Sequence, residues 1–508
     1  MGAMGIPLDV FNATTPILIL AVAAGHAVQI LKRYYEEYAR LSQTLPPAEA
    51  NPEAIVRALD RVGRFMLTAG GVAALGFLSL MIFEIKSVQT FGLFTGLGIL
   101  SALALEFTFI PAMRSWLSPP RTRESHSQGW SQLTAWLAIL RPRIVLMVWG
   151  IIALVASLGA WQVRIENSNR ANFAEFTAVR TQDATINRQL AGTQMFYVML
   201  DTGVSDGIKR PAVLQGLEAL QGRLQAMPGV GKTLSMVDFL KRLNQAMNAD
   251  DPAQYRLPGS AELVSQYLLL YSMAGEPGDF DSFVDYDYRR LNLKVFVKED
   301  SSRFVDGLVD ETRRLIRELL PADVQVAFGG GVAEAAALNE VIVRDKLLNI
   351  LQISSVVFVI SSLVFRSLIA GLLVLSPLMI AVLMNFGLLG WLGIPLNIPT
   401  SLISAMAVGI GADYAIYFIS RYREEIQADN PEALRETMGS AGQACLYVAT
   451  AVACGYGVLA LSIGFKVHLW LALLIAAAML VSALAALTLI PALLQVLRPA
   501  FVYRRTSL

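Results

Sequence analysis

The sequence predicts a membrane α-helical bundle of about nine transmembrane helices, built on a duplicated unit, plus one extramembrane α/β domain of ferredoxin-like type. Three observations carry that prediction. Hydrophobic residues make up 55% of the 508 and charged residues only 16%, against about 25% charged in ordinary soluble chains. Nine stretches are apolar over roughly the 20 residues that a helix needs to cross a bilayer. Short motifs recur, in order, near the two ends of the chain.

The nine stretches are Val10–Leu31, Phe65–Ile85, Phe91–Leu117, Ile144–Val163, Leu347–Phe365, Leu368–Leu392, Ile398–Ile419, Ala441–Phe465 and Leu469–Leu497. Basic residues in short loops set the orientation. Lys32, Arg33, Arg57, Arg61 and Arg64 share one side with Arg114, Arg121, Arg123, Arg141 and Arg143, and with Arg366, Arg421, Arg423, Arg435, Arg498, Arg504 and Arg505. That side is read as cytoplasmic, which puts the amino terminus outside. Trp130, Leu133, Trp136 and Leu140 fall at helical spacing in Gly129–Leu140, as in a helix lying along the cytoplasmic interface.

Between the fourth and fifth spans lies the polar region Arg164–Val343, which holds 24 of the 40 acidic residues and is expected outside. Gln194–Leu200 and Val230–Met236 read as strands around a helix marked by Val213, Leu214, Leu217, Leu220 and Leu224. A helical insert is expected through Phe239–Met247 and Ala261–Met273. Leu291, Leu293, Val295 and Val297 alternate as a strand. A helix through Phe304, Leu308, Leu315 and Leu319 and a strand Val324–Phe328 complete the order β-α-β, insert, β-α-β, the split unit of a ferredoxin-like fold.

The repeat is the strongest signal. Gly5-Ile6-Pro7-Leu8 recurs as Gly393-Ile394-Pro395-Leu396, and Arg33-Tyr34-Tyr35-Glu36-Glu37 as Arg421-Tyr422-Arg423-Glu424-Glu425, both offset by 388. Ile110-Pro111-Ala112-Met113 recurs as Ile490-Pro491-Ala492-Leu493, offset by 380. The difference falls in the loop Ala39–Glu53, where length changes cost little. The first three spans therefore duplicate the last three, a parallel repeat of the kind transporters use. The second copy is preceded by a span, the polar domain and two more spans, the first by four residues. A truncated transporter or a fragment is the expectation, with a second chain supplying the missing amino-terminal half.

An ionisable side chain in the bilayer is costly and marks function. Asp413 sits deep in Ile398–Ile419, within Gly409-Ile410-Gly411-Ala412-Asp413-Tyr414. It is placed to take up and release protons, with Tyr414 as a hydrogen-bond partner and Gly409 and Gly411 letting a neighbouring helix approach. The alternative is a buried acid satisfied by its neighbours with no transport role. The first copy carries Gly25 in place of the acid, followed by His26. If the two repeat helices meet, Gly25 provides close packing and His26 faces Asp413 as a relay partner, because imidazole titrates near neutral pH. Glu106, whose repeat partner is Ala486, is a further relay candidate or an acid reaching for the interface. Gln29, Asn385 and Thr400 read as polar ties between helices.

With these residues in view, the chain resembles the resistance-nodulation-division superfamily, and within it the MMPL-like and Patched-like branch, whose helices carry the sterol-sensing-domain pattern. The Gly-xxx-Asp-Tyr pattern at Gly409–Tyr414, the large extramembrane domain and the duplicated helices carry the resemblance over nearly the whole chain. It implies a proton-driven exporter of lipids or other hydrophobic and amphiphilic molecules in a bacterial cytoplasmic membrane, with the family's relay pair at Asp413 and Tyr414. Gly25 and His26 stand at the other pair's place and depart from the pattern. It implies the divisions 1–118 (last helices of a truncated first half), 119–143 (interfacial linker), 144–163 (a span), 164–343 (a porter-like domain) and 344–508 (a five-helix second half).

The remaining motifs carry less. Ala226–Thr233 fits a relaxed phosphate-loop pattern but follows a helix and precedes a strand, the reverse of the required order. Gly329-Gly330-Gly331 reads as a hinge. Asp279, Asp281, Asp285 and Asp287 lack the glycine and closing glutamate of a calcium loop. The net charge of +1 gives no reason to expect nucleic acid. Cys445 and Cys454 share one apolar run and form neither a disulfide framework nor a zinc site. Three histidines are too few for a His-rich metal site, so no metal, nucleotide or other cofactor is expected. With no nucleophile–base constellation, an enzyme is the least favoured class. Membrane lipids, protons and a hydrophobic cargo are the expected partners. The competing readings are a non-transporting lipid or sterol sensor, an assembly subunit and an aid to protein translocation.

Overall fold

The computed structural model describes residues 1–9, 12–119, 141–274 and 280–503. The expected interfacial helix Gly129–Leu140 lies outside them. The chain divides into two compact units, one made of Met1–Arg164 with Ile342–Leu508 and the other of Ile165–Val341.

The first unit is helical. It contains α1 (Thr15–Leu41), α2 (Pro47–Leu78), α3 (Lys86–Trp116) and α4 (Pro142–Ala160). Among the described residues eight helices are long and apolar enough to cross a membrane, and all eight coincide with expected spans. Nine were expected. The ninth, Ile398–Ile419, forms as the helix Ile398–Gln427; some of its side chains fall outside the description, so it stands apart from the eight. Prolines occupy the first turn of α1, α2 and α4, where a missing N–H costs nothing and the fixed φ suits the helix.

The second unit opens with α5 (Ala178–Gln189) and runs through β1 (Gln194–Asp201), α6 (Pro211–Gln225), β2 (Val230–Leu234), α7 (Met236–Met247), α8 (Ala261–Ala274), β3 (Arg290–Val297), α9 (Ser302–Leu319) and β4 (Gln325–Gly329). The sheet order is β2-β3-β1-β4, and each neighbouring pair is antiparallel. Its core follows the sequence pattern. Leu291, Leu293, Val295 and Val297 of β3 join Phe196, Val198 and Leu200 of β1 in one cluster with Leu217 of α6 and Leu308 of α9. Each such side chain stabilises by about 1.5–3 kcal/mol on burial.

One local expectation shifts and two gain detail. The strand expected to Met236 stops at Leu234, because Ser235 caps α7: its Oγ accepts from the Val237 N–H and Asp238 returns a bond to the Ser235 N–H. Asp285, expected in an acidic loop, accepts the Arg289 and Arg290 N–H groups at 2.8 Å each and so closes a turn; Asp279 lies outside the described residues. The three glycines end a strand, as expected. Gly329 ends β4 and Gly330 already opens α10 (Gly330–Phe365). Gly330 has a φ of 83°, and a Cβ there would meet the Met195 carbonyl oxygen at 2.6 Å, so only glycine makes this strand-to-helix corner.

The rest of the first unit comprises α11 (Leu368–Trp391), α12 (Ile398–Gln427), α13 (Gln443–Gly457) and α14 (Lys466–Leu497). The repeat shows in its punctuation. α2 ends in a 3-10 turn, Ser79–Ile82, before α3, and α13 ends in one, Val458–Leu461, before α14. Pro111 lies inside α3 and Pro491 inside α14.

Candidate functional site

α12 starts on a capping box, in which Asn397 Oδ1 accepts the Thr400 N–H and Thr400 Oγ1 accepts the Asn397 N–H. Thr400, expected as a tie between helices, is thus spent on its own helix. One glycine pair then brings α12 against its neighbours. A Cβ on Gly411 would lie 2.5 Å from Ser482 Oγ and 2.8 Å from Leu378 Cδ2, and one on Gly409 would lie 3.2 Å from the Phe77 ring. The packing puts Asp413 at 8% exposure and Tyr414 at 0%.

Asp413 does not bond Tyr414. The Tyr414 hydroxyl lies 3.8 Å from the Met479 sulfur, because successive residues point about 100° apart around a helix. The donor to Asp413 is Gln29, whose Nε2 lies 2.6 Å from Oδ2. Gln29 is one turn beyond His26, and His26, Gln29, Ile30 and Arg33 all lie on the buried face of α1. Nor does His26 bond Asp413. Its Nδ1 lies 3.0 Å from Glu106 Oε2 on α3. Glu106 does not reach for the interface: it is 5% exposed and ends the buried stripe Val88, Phe91, Thr95, Ile99, Ala102 and Leu103. Gly25, beside His26, faces α13, where its Cβ would meet Val448 Cγ1 at 3.0 Å.

Three helices thus bring one imidazole, two carboxyl groups and one amide together, tied in two hydrogen-bonded pairs. Burial makes such contacts strong: unit charges about 4 Å apart interact by roughly 4 kcal/mol at an effective dielectric of about 20. Among the described residues no group of three or more His, Cys, Asp or Glu is set to hold a metal ion.

At the far end of α1 the repeated Arg-Tyr-x-Glu-Glu motifs meet. Arg33 Nη2 lies 2.8 Å from Glu37 and 3.1 Å from Glu424. Arg421 lies 2.8 Å from Glu424 and 2.7 Å from Glu425, and Arg61 also pairs with Glu424. These contacts tie α1, α2 and α12. The motif was legible in sequence; its role as a joint between the copies was not.

Residues 3–143 and 188–506 match the model of the MMPL family. The chain belongs to the MMPL family. A membrane protein of Methanocaldococcus jannaschii is 21% identical over 330 residues, covering 63% of this MMPL chain and 82% of the relative. A Mycobacterium leprae protein named as the trehalose monomycolate exporter MmpL3 is 34% identical over 190 residues, covering 34% of this chain and 19% of the relative. The cryo-EM structure of the hedgehog release protein Disp from the water bear Hypsibius dujardini superposes with a TM-score of 0.62 at 13% identity, over 95% of this chain and 63% of that one. The chain spans less than two thirds of the two relatives whose names state an activity. Like other MMPL chains it is a multi-pass membrane protein, mostly helical, with a small sheet.

Proposed function

We propose that this chain works in the export of lipids or other hydrophobic and amphiphilic molecules across the cytoplasmic membrane, driven by the proton-motive force. The observation that carries the reading is the pairing of His26 with Glu106 beside that of Gln29 with Asp413, buried within the helical bundle. A family relative named for exporting a glycolipid supports the cargo class.

In this reading Asp413, His26 and Glu106 are the proton-carrying groups. Gln29 donates to one oxygen of Asp413 whether or not the other holds a proton, so it orients the acid through the cycle. The imidazole passes a proton by exchanging its two ring nitrogens. Each uptake or release shifts the balance between two packings of α1, α3 and α12, and that shift moves cargo. Tyr414 serves as packing against Met479. The second unit is the porter domain, on the outer side; its order β2-β3-β1-β4 with antiparallel neighbours supports a ferredoxin-like fold. Transport belongs to the complete assembly, including any second chain that completes the helical halves.

The test is cargo flux in proteoliposomes holding the complete assembly under an imposed pH gradient. Asp413→Asn keeps the shape and the Gln29 contact but cannot ionise, and gradient-driven flux is expected to collapse to the level seen without a gradient. Undiminished flux in that variant would refute the reading.

A further inference from the structure

A groove runs between α1 and α13, with a volume of about 280 Å³, lined on α1 from Ile17 to Val28 and on α13 from Val448 to Tyr456. Its lining is apolar with one exception. Tyr456 is 1% exposed, yet its hydroxyl has no hydrogen-bond partner among the described residues. A buried phenol usually finds one, and an unmet polar group costs about 1–3 kcal/mol. Tyr456 thus lines one end of an otherwise apolar groove with a hydroxyl that is itself buried and unanswered.

Its dimensions choose the occupant. The eleven steps from Ile17 to Val28 cover about 16 Å along a helix, close to half of a hydrocarbon core about 30 Å thick. The length is that of one leaflet. The volume sits at the lower edge of the roughly 300–1,000 Å³ of small-molecule sites, enough for one chain and too little for a two-chain lipid. Leu20, 69% exposed, and Gly455, which has no atom within 4 Å of where its Cβ would be, leave the side open. Both helices are apolar enough to stand in a membrane, so the opening faces acyl chains. The ends are ordered as well: Tyr456 marks the end where α1 begins, and Gly25 packs against Val448 toward the other end.

We propose that this groove binds a single-chain amphiphile, a fatty alcohol or fatty acid, whose oxygen bonds the Tyr456 hydroxyl and whose chain lies along α1 to Gly25. The tail then ends beside His26, the next residue along. The site goes beyond the export reading and does not rest on it.

The experiment uses the full chain in phosphatidylcholine vesicles with three photoactivatable probes: a diazirine fatty alcohol, a diazirine fatty acid and a matched diazirine alkane with no oxygen. For both oxygen-bearing probes, crosslinks are expected to concentrate on peptides of α1 and α13. Gly455→Leu, which fills the open side, is expected to cut labelling there about tenfold; Ala451→Leu serves the same purpose if that variant fails to fold. Tyr456→Phe is expected to lower labelling by whichever oxygen-bearing probe is preferred by about three- to tenfold, the worth of one hydrogen bond, and to leave the alkane unchanged. Labelling spread evenly over the lipid-facing helices, or equal for Tyr456→Phe and wild type, overturns the proposal. Labelling needs no proton gradient, so its failure and that of the export reading are separate results.

Discussion

The two copies of the repeat share their architecture and differ in where they keep an acid. In the second copy the carboxyl is on the first helix, at Asp413 of α12, and the place corresponding to Glu106 is Ala486 on α14, at 0% exposure. In the first copy that helix has Gly25, and the acid has moved to the third helix, at Glu106 of α3, held by His26. Each copy thus contributes one carboxyl group to this cluster, brought in on a different helix. Strict symmetry would place two carboxyl groups on the facing helices α1 and α12. The observed arrangement sets an imidazole and an amide between them, so the pair can differ in protonation without two bare charges in contact.

That contrast can be broken experimentally. If the first copy's acid is required, Glu106→Gln removes most gradient-driven flux in the complete assembly while the chain still folds. Wild-type flux would show that Asp413 alone suffices. Returning the acid to α1 sharpens the test. Gly25→Asp with Glu106→Ala is expected to recover flux only when Val448→Ala is added, since Val448 stands 3.0 Å from the new Cβ.

The repeated Arg-Tyr-x-Glu-Glu motifs give the next largest effect. Arg33 and Glu37 are 4% and 3% exposed, so Arg33→Met leaves the buried Glu37 with only Arg61, at 3.7 Å, and should cost about 3 kcal/mol. Arg421→Met should cost nearer 1 kcal/mol, because Glu424 keeps Arg33 and Arg61. Thermal unfolding in detergent compares the two; equal losses would mean that the copies share the load evenly.

Glycine substitutions rank below that. Gly411→Ala drives a Cβ to 2.5 Å from Ser482 Oγ and 2.8 Å from Leu378, an overpacking cost of about 1–3 kcal/mol. Gly25→Ala meets only the tip of Val448, and its cost should be smaller by the same unfolding measurement. The smallest effect lies outside the repeat and serves as a control. A hydrogen bond from Arg289, helped by the Gly203 N–H and by Arg290, holds the half-buried Asp201 carboxyl below the usual range. A depressed folded value means that this contribution is present above about pH 3.9 and fades as the pH falls through the lower folded value. Asp201→Asn should flatten that part of the acid limb, read by hydrogen exchange in β1, and leave the bundle unchanged.

Much of this was legible in the sequence. Eight spans follow from apolar runs, since a bilayer punishes anything shorter or more polar. β3 follows from Leu291, Leu293, Val295 and Val297, because a half-buried strand has a period of two. Asp413 stood out because a lone acid in such a run needs a reason. Its partners did not. His26 and Glu106 are 80 residues apart and Gln29 and Asp413 are 384 apart, and nothing local says which face of α1 meets α3 or α12. A signal for Glu106 did exist: it continues the stripe through Thr95, Ile99 and Leu103 at helical spacing. The end of β2 is set by Ser235 with Asp238, an atypical capping box that starts α7 and that the usual Ser-x-x-Glu pattern does not reveal.

Pro111 and Pro491 occupy corresponding places in the third helix of each copy. Neither can donate to the carbonyl four residues back, at Phe107 and Leu487, so each helix lacks one rung there and bends more readily. The bundle is thereby fitted with two compliant elbows at matched depth. One lies a turn beyond Glu106, the other at the same interval past Ala486, so flexing at one elbow carries an acid along and flexing at the other carries none.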